Sequence, residues 1–171
     1  YPLWHPLSLH DALSDLTRAD GKRLDGGLLA LDAETGEERW RLEVSGGVES
    51  MPAVRDGRVF FGGNDQMFYA VDAGSGEVLW QHRGGHQDQT VKVSPTVAYG
   101  VVFTGLRGKM RGYDVETGEQ VWVSNAEMPV DTRGSMAVAG NAAYYTGHHA
   151  WGRLYRLDVS TGRVKWKESA K

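Results

Sequence analysis

Four stretches of this 171-residue chain are versions of one another: LDAETGEERW at 31–40, VDAGSGEVLW at 71–80, YDVETGEQVW at 113–122 and LDVSTGRVKW at 157–166. Their tryptophans, Trp40, Trp80, Trp122 and Trp166, lie 40, 42 and 44 residues apart. Each follows its aspartate (Asp32, Asp72, Asp114, Asp158) by eight positions. A fourfold match at fixed internal spacing confines the fold to architectures that stack a unit of about 42 residues, because self-similarity at such a period is the mark of solenoids and propellers.

Each copy reads as a β-hairpin. Leu28-Leu29-Ala30-Leu31 and Phe68-Tyr69-Ala70-Val71 are apolar on both alternating faces, as expected of strands covered on two sides. Aspartate and threonine side chains bond nearby turn amides, and glycine tolerates a left-handed backbone, so Asp-x-x-Thr-Gly is a turn. The turn delivers a tryptophan into the next strand. An indole buries on the order of 200 Å2 and keeps one N–H that needs an acceptor, which suits a seam between two packed sheets. Upstream of three copies lies a second hairpin: Pro52-Ala53-Val54 turning at Asp56-Gly57 into Val59–Gly63, Pro95-Thr96-Val97 turning at Tyr99-Gly100 into Val101–Gly105, and Met136-Ala137-Val138 turning at Gly140-Asn141 into Ala143–Gly147. Two hairpins per period make a four-stranded blade of a β-propeller.

The pattern A-x-D-x-x-T-G-x-x-x-W resembles the tryptophan-docking motif of the quinoprotein, or pyrroloquinoline-quinone-like, propeller family. That resemblance covers roughly residues 27–168. The family includes quinoprotein alcohol dehydrogenases, the propeller lipoprotein of the outer-membrane barrel assembly machinery, and sensor domains of some bacterial kinases. Ala30 and Ala70 match the motif's leading alanine, which in the family stacks on the indole. Gly112 and Arg156 depart from it, so looser seams are expected at the third and especially the fourth copy.

The fold class expected is therefore all-β: a partial β-propeller of four-stranded antiparallel blades, with three complete blades plus one outer hairpin. Residues 27–44 form the partial blade; 45–84, 85–125 and 126–168 form the complete ones, within a propeller region of 27–171. Family propellers close with six to eight blades. A fragment of a longer propeller is the leading expectation, ahead of closure by other chains or a small four-bladed closure completed by the N-terminal segment. Tyr1 in place of methionine fits a processed chain or a piece of a longer one. Residues 1–26 are not blade-like. Ser8-Leu9-His10-Asp11 resembles a helix-capping box, with Leu9, Ala12, Leu13 and Leu16 at helical spacing, so a short amphipathic helix ending near Asp20-Gly21 is expected, with a flexible lead-in as the alternative.

Composition removes whole classes of function. Nineteen basic and 22 acidic side chains give a net charge of −3 with no block of like charge, so no basic stripe tracks a nucleic-acid backbone. No apolar run is long enough to form a transmembrane helix. The chain has no cysteine, which excludes disulfides, thiolate metal sites and covalent c-type haem within it.

Candidate binding residues lie on the loops of one propeller face. They are His86 and Asp88 in the 84–90 loop, Arg107 and Lys109 in the third blade's middle loop, Arg133 in the 129–133 loop, and His148 and Trp151 in the fourth blade's middle loop. Asn64-Asp65-Gln66 belongs to the same set. Asp158 follows Gly147 by 11 positions where the counterparts follow by nine, so the His148-His149-Ala150-Trp151 loop is the clearest deviation from the repeat. Neighbouring histidines on an extended chain point apart and rarely chelate one ion together, and His82 with His86 and Asp88 is a weak alternative, so no metal site is expected. Arg107, Lys109 and Arg133 are suited to an anion, a quinone carboxylate included, though solvated loop charge is the plainer reading. The repeated aspartates are structural. Quinoprotein dehydrogenases need a calcium or lanthanide site, a catalytic aspartate, an adjacent cysteine pair and a stacking tryptophan; the cysteine pair is absent, the acidic ligands cannot be matched, and no catalytic residue carries over.

The leading expectation for function is a noncatalytic scaffold or protein-interaction module of the bacterial cell envelope, periplasmic or extracellular, with protein partners or further blades and no cofactor. A fragment of a quinoprotein alcohol dehydrogenase, with pyrroloquinoline quinone and calcium, is the alternative. The extracellular sensor part of a receptor kinase is a third.

Overall fold

The computed structural model describes residues 8–10, 26–84, 91, 93–106, 108–125, 136–147 and 153–169. They form fifteen strands in four antiparallel sheets, each sheet running in sequence order. The first contains β1 (Ser8–His10), β2 (Gly27–Leu31) and β3 (Glu38–Glu43). The second contains β4 (Ala53–Arg55), β5 (Arg58–Gly62), β6 (Met67–Asp72) and β7 (Val78–Arg83). β8 (Thr96–Ala98), β9 (Val101–Leu106), β10 (Lys109–Asp114) and β11 (Gln120–Val123) make the third. The fourth is β12 (Ala137–Ala139), β13 (Ala142–Gly147), β14 (Arg153–Asp158) and β15 (Val164–Ser169). Three four-stranded antiparallel blades and all four repeat hairpins are present, the fold class that the repeat implies.

The first blade differs. Ser8–His10, read as a helix cap, is a strand instead: Leu9 pairs with Ala30 and His10 with Leu29. β2 has an unpaired edge rich in leucine, and backbone pairing along that edge outweighs the helical spacing of a few apolar residues. The partial blade therefore has three strands rather than an outer hairpin alone. The rest of the expected helix, residues 11–20, lies outside the described residues.

In every repeat hairpin the residue before the aspartate's neighbour faces its tryptophan: Ala30 opposite Trp40, Ala70 opposite Trp80, Gly112 opposite Trp122 and Arg156 opposite Trp166. The register then slips by one residue in all four, a β-bulge that adds twist and aims the indole out of the sheet. The inner hairpins turn on two residues, and left-handed φ at both Asp56 and Gly57, and at both Tyr99 and Gly100, identifies the tight type I′ geometry that matches strand twist.

The hydrophobic core is not a single mass. It divides into three layers, each between adjacent blades. Leu28, Ala30 and Trp40 of the first blade meet Val59, Phe61, Val71 and Ala73 of the second. Phe60, Phe68 and Ala70 of the second meet Val102, Tyr113 and Val115 of the third. Phe103, Met110 and Trp122 of the third meet Ala143, Tyr145, Tyr155 and Leu157 of the fourth. Closer to the inner strands, Ser50 Oγ accepts from Gly62 N at 2.8 Å and donates to Gly62 O at 3.1 Å, while Ser94 Oγ accepts from Met51 N at 3.0 Å, tying the second blade to the third.

Candidate functional site

Each repeat aspartate is consumed by its own turn. Asp32 Oδ1 accepts from Glu34 N at 2.9 Å and Thr35 N at 3.0 Å, and Gly36 N donates to Asp32 O at 2.9 Å. Asp72, Asp114 and Asp158 repeat this around Gly76, Gly118 and Gly162. Hydrogen bonds to the charged form hold all four carboxyls below the usual range. Arg39 is the leading cause for Asp32, the Ser75 amide for Asp72, the Thr117 amide for Asp114, and the Ser160 and Thr161 hydroxyls for Asp158, whose pKa falls to about 2.

The indoles are equally committed. Trp40 Nε1 donates to Ala73 O at 2.9 Å, Trp80 Nε1 to Val115 O at 3.3 Å and Trp122 Nε1 to Val159 O at 2.9 Å. In each case the acceptor is the carbonyl just after the next blade's aspartate. The ring lies flat against the next turn glycine: a Cβ on Gly76 would sit 2.6 Å from Trp40, and one on Gly118 would sit 2.7 Å from Trp80. Trp122 makes the same contact with Gly162.

The expectation of a looser third seam is corrected. Trp122 is buried and its bond as short as that of Trp40, because the missing Cβ of Gly112 leaves room into which the indole settles. It is the second seam that differs: Trp80 is half-buried with the longest of the three bonds. There His82 Nε2 lies 2.6 Å from Gly118 O, and its ring stacks on Tyr113 at 4.5 Å. Beside this pair opens a cleft of about 400 Å3, lined by His82 and Arg83 from the second blade and Leu106, Arg111, Tyr113 and Gln120 from the third. Arg111 Nη1 donates to Gln120 Oε1 at 2.7 Å. Two guanidinium groups, an amide and a phenol, with no carboxylate among the described lining residues, suit an acceptor-rich surface such as a peptide carboxylate.

Of the loop candidates, Lys109 and the Asn64-Asp65-Gln66 loop are among the described residues; Lys109 opens β10 opposite Leu106. His86, Asp88, Arg107, Arg133, His148 and Trp151 lie outside them. The Asn64-Asp65-Gln66 loop ties several of its polar groups to its surroundings, although Asn64 Oδ1 is buried without a partner. Asn64 Nδ2 donates to Gly46 O at 2.7 Å, Asp65 Oδ1 accepts from Met67 N at 3.0 Å, and Tyr69 Oη donates to Asp65. Burial, and then Asp65, push the Tyr69 phenol above its usual range. His82, weighed as a metal ligand, is instead engaged with Gly118 and Tyr113, and among the described residues no three His, Asp or Glu side chains are grouped as a metal site. Sequence reasoning did not single out Arg83, Arg111, Tyr113 or Gln120. The signal was there in part: Tyr113 stands where the other copies carry Leu31, Val71 and Leu157.

Blades locked by an indole on the neighbouring Asp-x-x-Thr-Gly turn define a quinoprotein-like β-propeller. The chain belongs to the family described as outer membrane protein assembly factor BamB, whose model matches residues 23–133. Such an assembly factor from Shewanella oneidensis is 26% identical over 159 residues, covering 82% of this chain and 38% of its own length. Quinohemoprotein alcohol dehydrogenase ADH-IIG from Pseudomonas putida is 26% identical over 147 residues, covering 75% and 20%. Among solved structures, BamB from Moraxella catarrhalis aligns at a TM-score of 0.66 with 21% identity over 85% of this chain and 47% of that one. The computationally designed Ika8 protein aligns at 0.70 with 20% identity over 87% and 45%. The chain thus spans about a fifth to two fifths of the length of these curated relatives. No helix among the described residues is long and apolar enough to cross a membrane.

Proposed function

We propose that this chain is a noncatalytic propeller module of the bacterial cell envelope, one part of a larger body that holds protein partners for outer-membrane assembly. The observation that carries the reading is the complete structural employment of the repeat: all four aspartates hold their own turns, and three indoles hold the neighbouring blades. Membership of the assembly-factor family supports the same role. The basic cleft between the second and third blades is the surface offered to a partner's carboxylates. Placing a photo-cross-linking residue at Gln120 tests this. Adducts with outer-membrane assembly proteins, competed by an acidic peptide, are expected; a chain that forms none in the envelope overturns the reading.

A second reading has one specific observation in its favour: quinone-dependent alcohol dehydrogenases are among the relatives, such as the Gluconobacter oxydans dehydrogenase subunit at 30% identity over 154 residues. The residues described here do not fit that cofactor's metal, since no acidic cluster converges among them. Dye reduction by alcohols after reconstitution with pyrroloquinoline quinone and calcium would establish the dehydrogenase and displace the scaffold.

A further inference from the structure

The outer strand of each blade is an edge of its sheet, and an edge left apolar and uncharged is a template for further pairing. The outer strands meet that hazard differently. β3 carries Glu38, Arg39, Arg41 and Glu43, and β15 carries Lys165, Lys167 and Glu168. β7 ends on Arg83. β11 reads Gln120-Val121-Trp122-Val123 and holds no charge. The contrast is sharpest just before each tryptophan. Arg39 and Lys165 stand there in the first and fourth copies, each paired with its own turn's aspartate, Asp32 and Asp158. Leu79 and Val121 stand there in the second and third, 45% and 50% exposed. β11 has β10 on one side and no described strand on the other. Ser124 N donates to Met110 O at 2.8 Å, so the alternation of an antiparallel ladder turns the N–H and C=O of Val123 away from β10, toward the open edge.

That edge borders the basic cleft, and Gln120 belongs to both. The Arg111 guanidinium reaches from β10 across to β11: its Nη1 donates to Gln120 Oε1 at 2.7 Å, while its Nε is buried with no partner. A strand laid along the open edge of β11 would have this cation beside one of its faces. We propose that an extended segment of a partner protein adds to β11 as a further strand of the third blade and sets a glutamate or aspartate side chain on Arg111. Strand addition takes its affinity from main-chain hydrogen bonds and its selectivity from alternate side chains that enter pockets. Here β11 offers the first and the cleft the second. The occupant's carboxylate follows from charge, because the described lining holds Arg83 and Arg111 and no acidic residue. β11 has a neighbouring blade on either side within the described chain, so the argument does not depend on the outermost blades. The inference rests on the partner-holding reading of the cleft and adds to it the mode of attachment.

A short synthetic peptide of alternating threonine and valine with one central glutamate tests it, titrated into the 171-residue chain and followed by NMR-detected hydrogen exchange. Bound peptide is expected to slow exchange of the Val123 amide at least about tenfold and to leave β3 and β15 unchanged. The same peptide with methylated backbone amides keeps its carboxylate and loses its donors, so its affinity should fall at least about tenfold. Glutamine in place of the glutamate should weaken binding at least about fivefold in the wild-type chain. It should make no difference in Arg111→Met, which keeps the side-chain stem and removes the charge. Val121→Glu puts a like charge on the edge and should abolish the protection of Val123. Circular dichroism melting checks that both variants remain folded; should either fail to, the two altered peptides decide on the wild-type chain. No binding of the peptide, binding that leaves Val123 exchanging as before, or equal affinity for the methylated or the glutamine peptide overturns the proposal. Cross-linking at Gln120 reads the envelope role separately: adducts there without protection of Val123 leave that role standing and sink strand addition alone.

Discussion

Trp40, Trp122 and Trp166 hold the same place in the repeat, and only the environment separates them. The first two lie buried with an N–H on a neighbouring carbonyl; the third is exposed. Trp122→Ala should therefore cost about 3–5 kcal/mol, the range for a buried aromatic deleted from a core. Trp122→Phe should cost about 1–2 kcal/mol, much of it for leaving the Val159 carbonyl without its donor. At the exposed fourth indole, Trp166→Ala should cost under about 1 kcal/mol. Urea unfolding of the three variants checks the order. The aspartates make a prediction about acid. A carboxyl depressed in the folded state binds protons less readily than in the unfolded chain, so its stabilising effect is full above the ordinary value of 3.8 and is lost as pH falls through the folded value. For Asp158 that window runs from 3.8 down to about 2. Melting temperature should fall across it, and Asp158→Asn should flatten the fall.

At the scale of the hairpin, β10 and β11 invert the rule of the repeat. The first two copies place alanine opposite the indole, so restoring it by Gly112→Ala looks like a repair. It should destabilise instead, by about 1–3 kcal/mol, because the new Cβ would sit 2.7 Å from Trp122 Nε1 in a seam already closed. Thermal melting against wild type gives the sign. What the sequence disclosed at this scale follows from what is local. Hairpins, two-residue turns and the Asp-Thr-Gly corner depend on neighbours a few positions apart, and all were readable. The strand at Ser8–His10 was not, because three residues show no period and the pairing that makes them a strand comes from Leu29–Leu31, some 20 residues away. Nor was the tightness at Gly112: a missing Cβ reads as a weaker contact until the indole is seen in its place. The cleft at the second seam is non-local as well, joining His82 to Arg111 and Tyr113 across a blade boundary. The loop residues favoured from sequence fall, except for Lys109 and the Asn64-Asp65-Gln66 loop, outside the described residues, and their roles stay proposals.

For the whole molecule, three core layers in series mean that each blade is stabilised only by those beside it, and stability becomes a sum of blade and seam contributions. Damage at one seam should then stay near that seam. Removing Trp40 strips the first blade of its main contact with the second, while the layer around Phe103, Trp122 and Tyr145 is untouched. Hydrogen exchange is the measurement, since it reports opening segment by segment. In Trp40→Ala, amides of β2 and β3 should exchange faster by at least about tenfold, while those of β13 and β14 keep their wild-type protection. Trp122→Ala should reverse the pattern, with loss in β13 to β15 and retention in β2 and β3. Trp80→Ala, at the middle seam, should weaken the stack at its centre and release the two halves from each other with each half still protected within itself. Uniform loss of protection in all three variants would mean that the blades unfold as one cooperative body, and that the layered core is a feature of geometry without energetic independence.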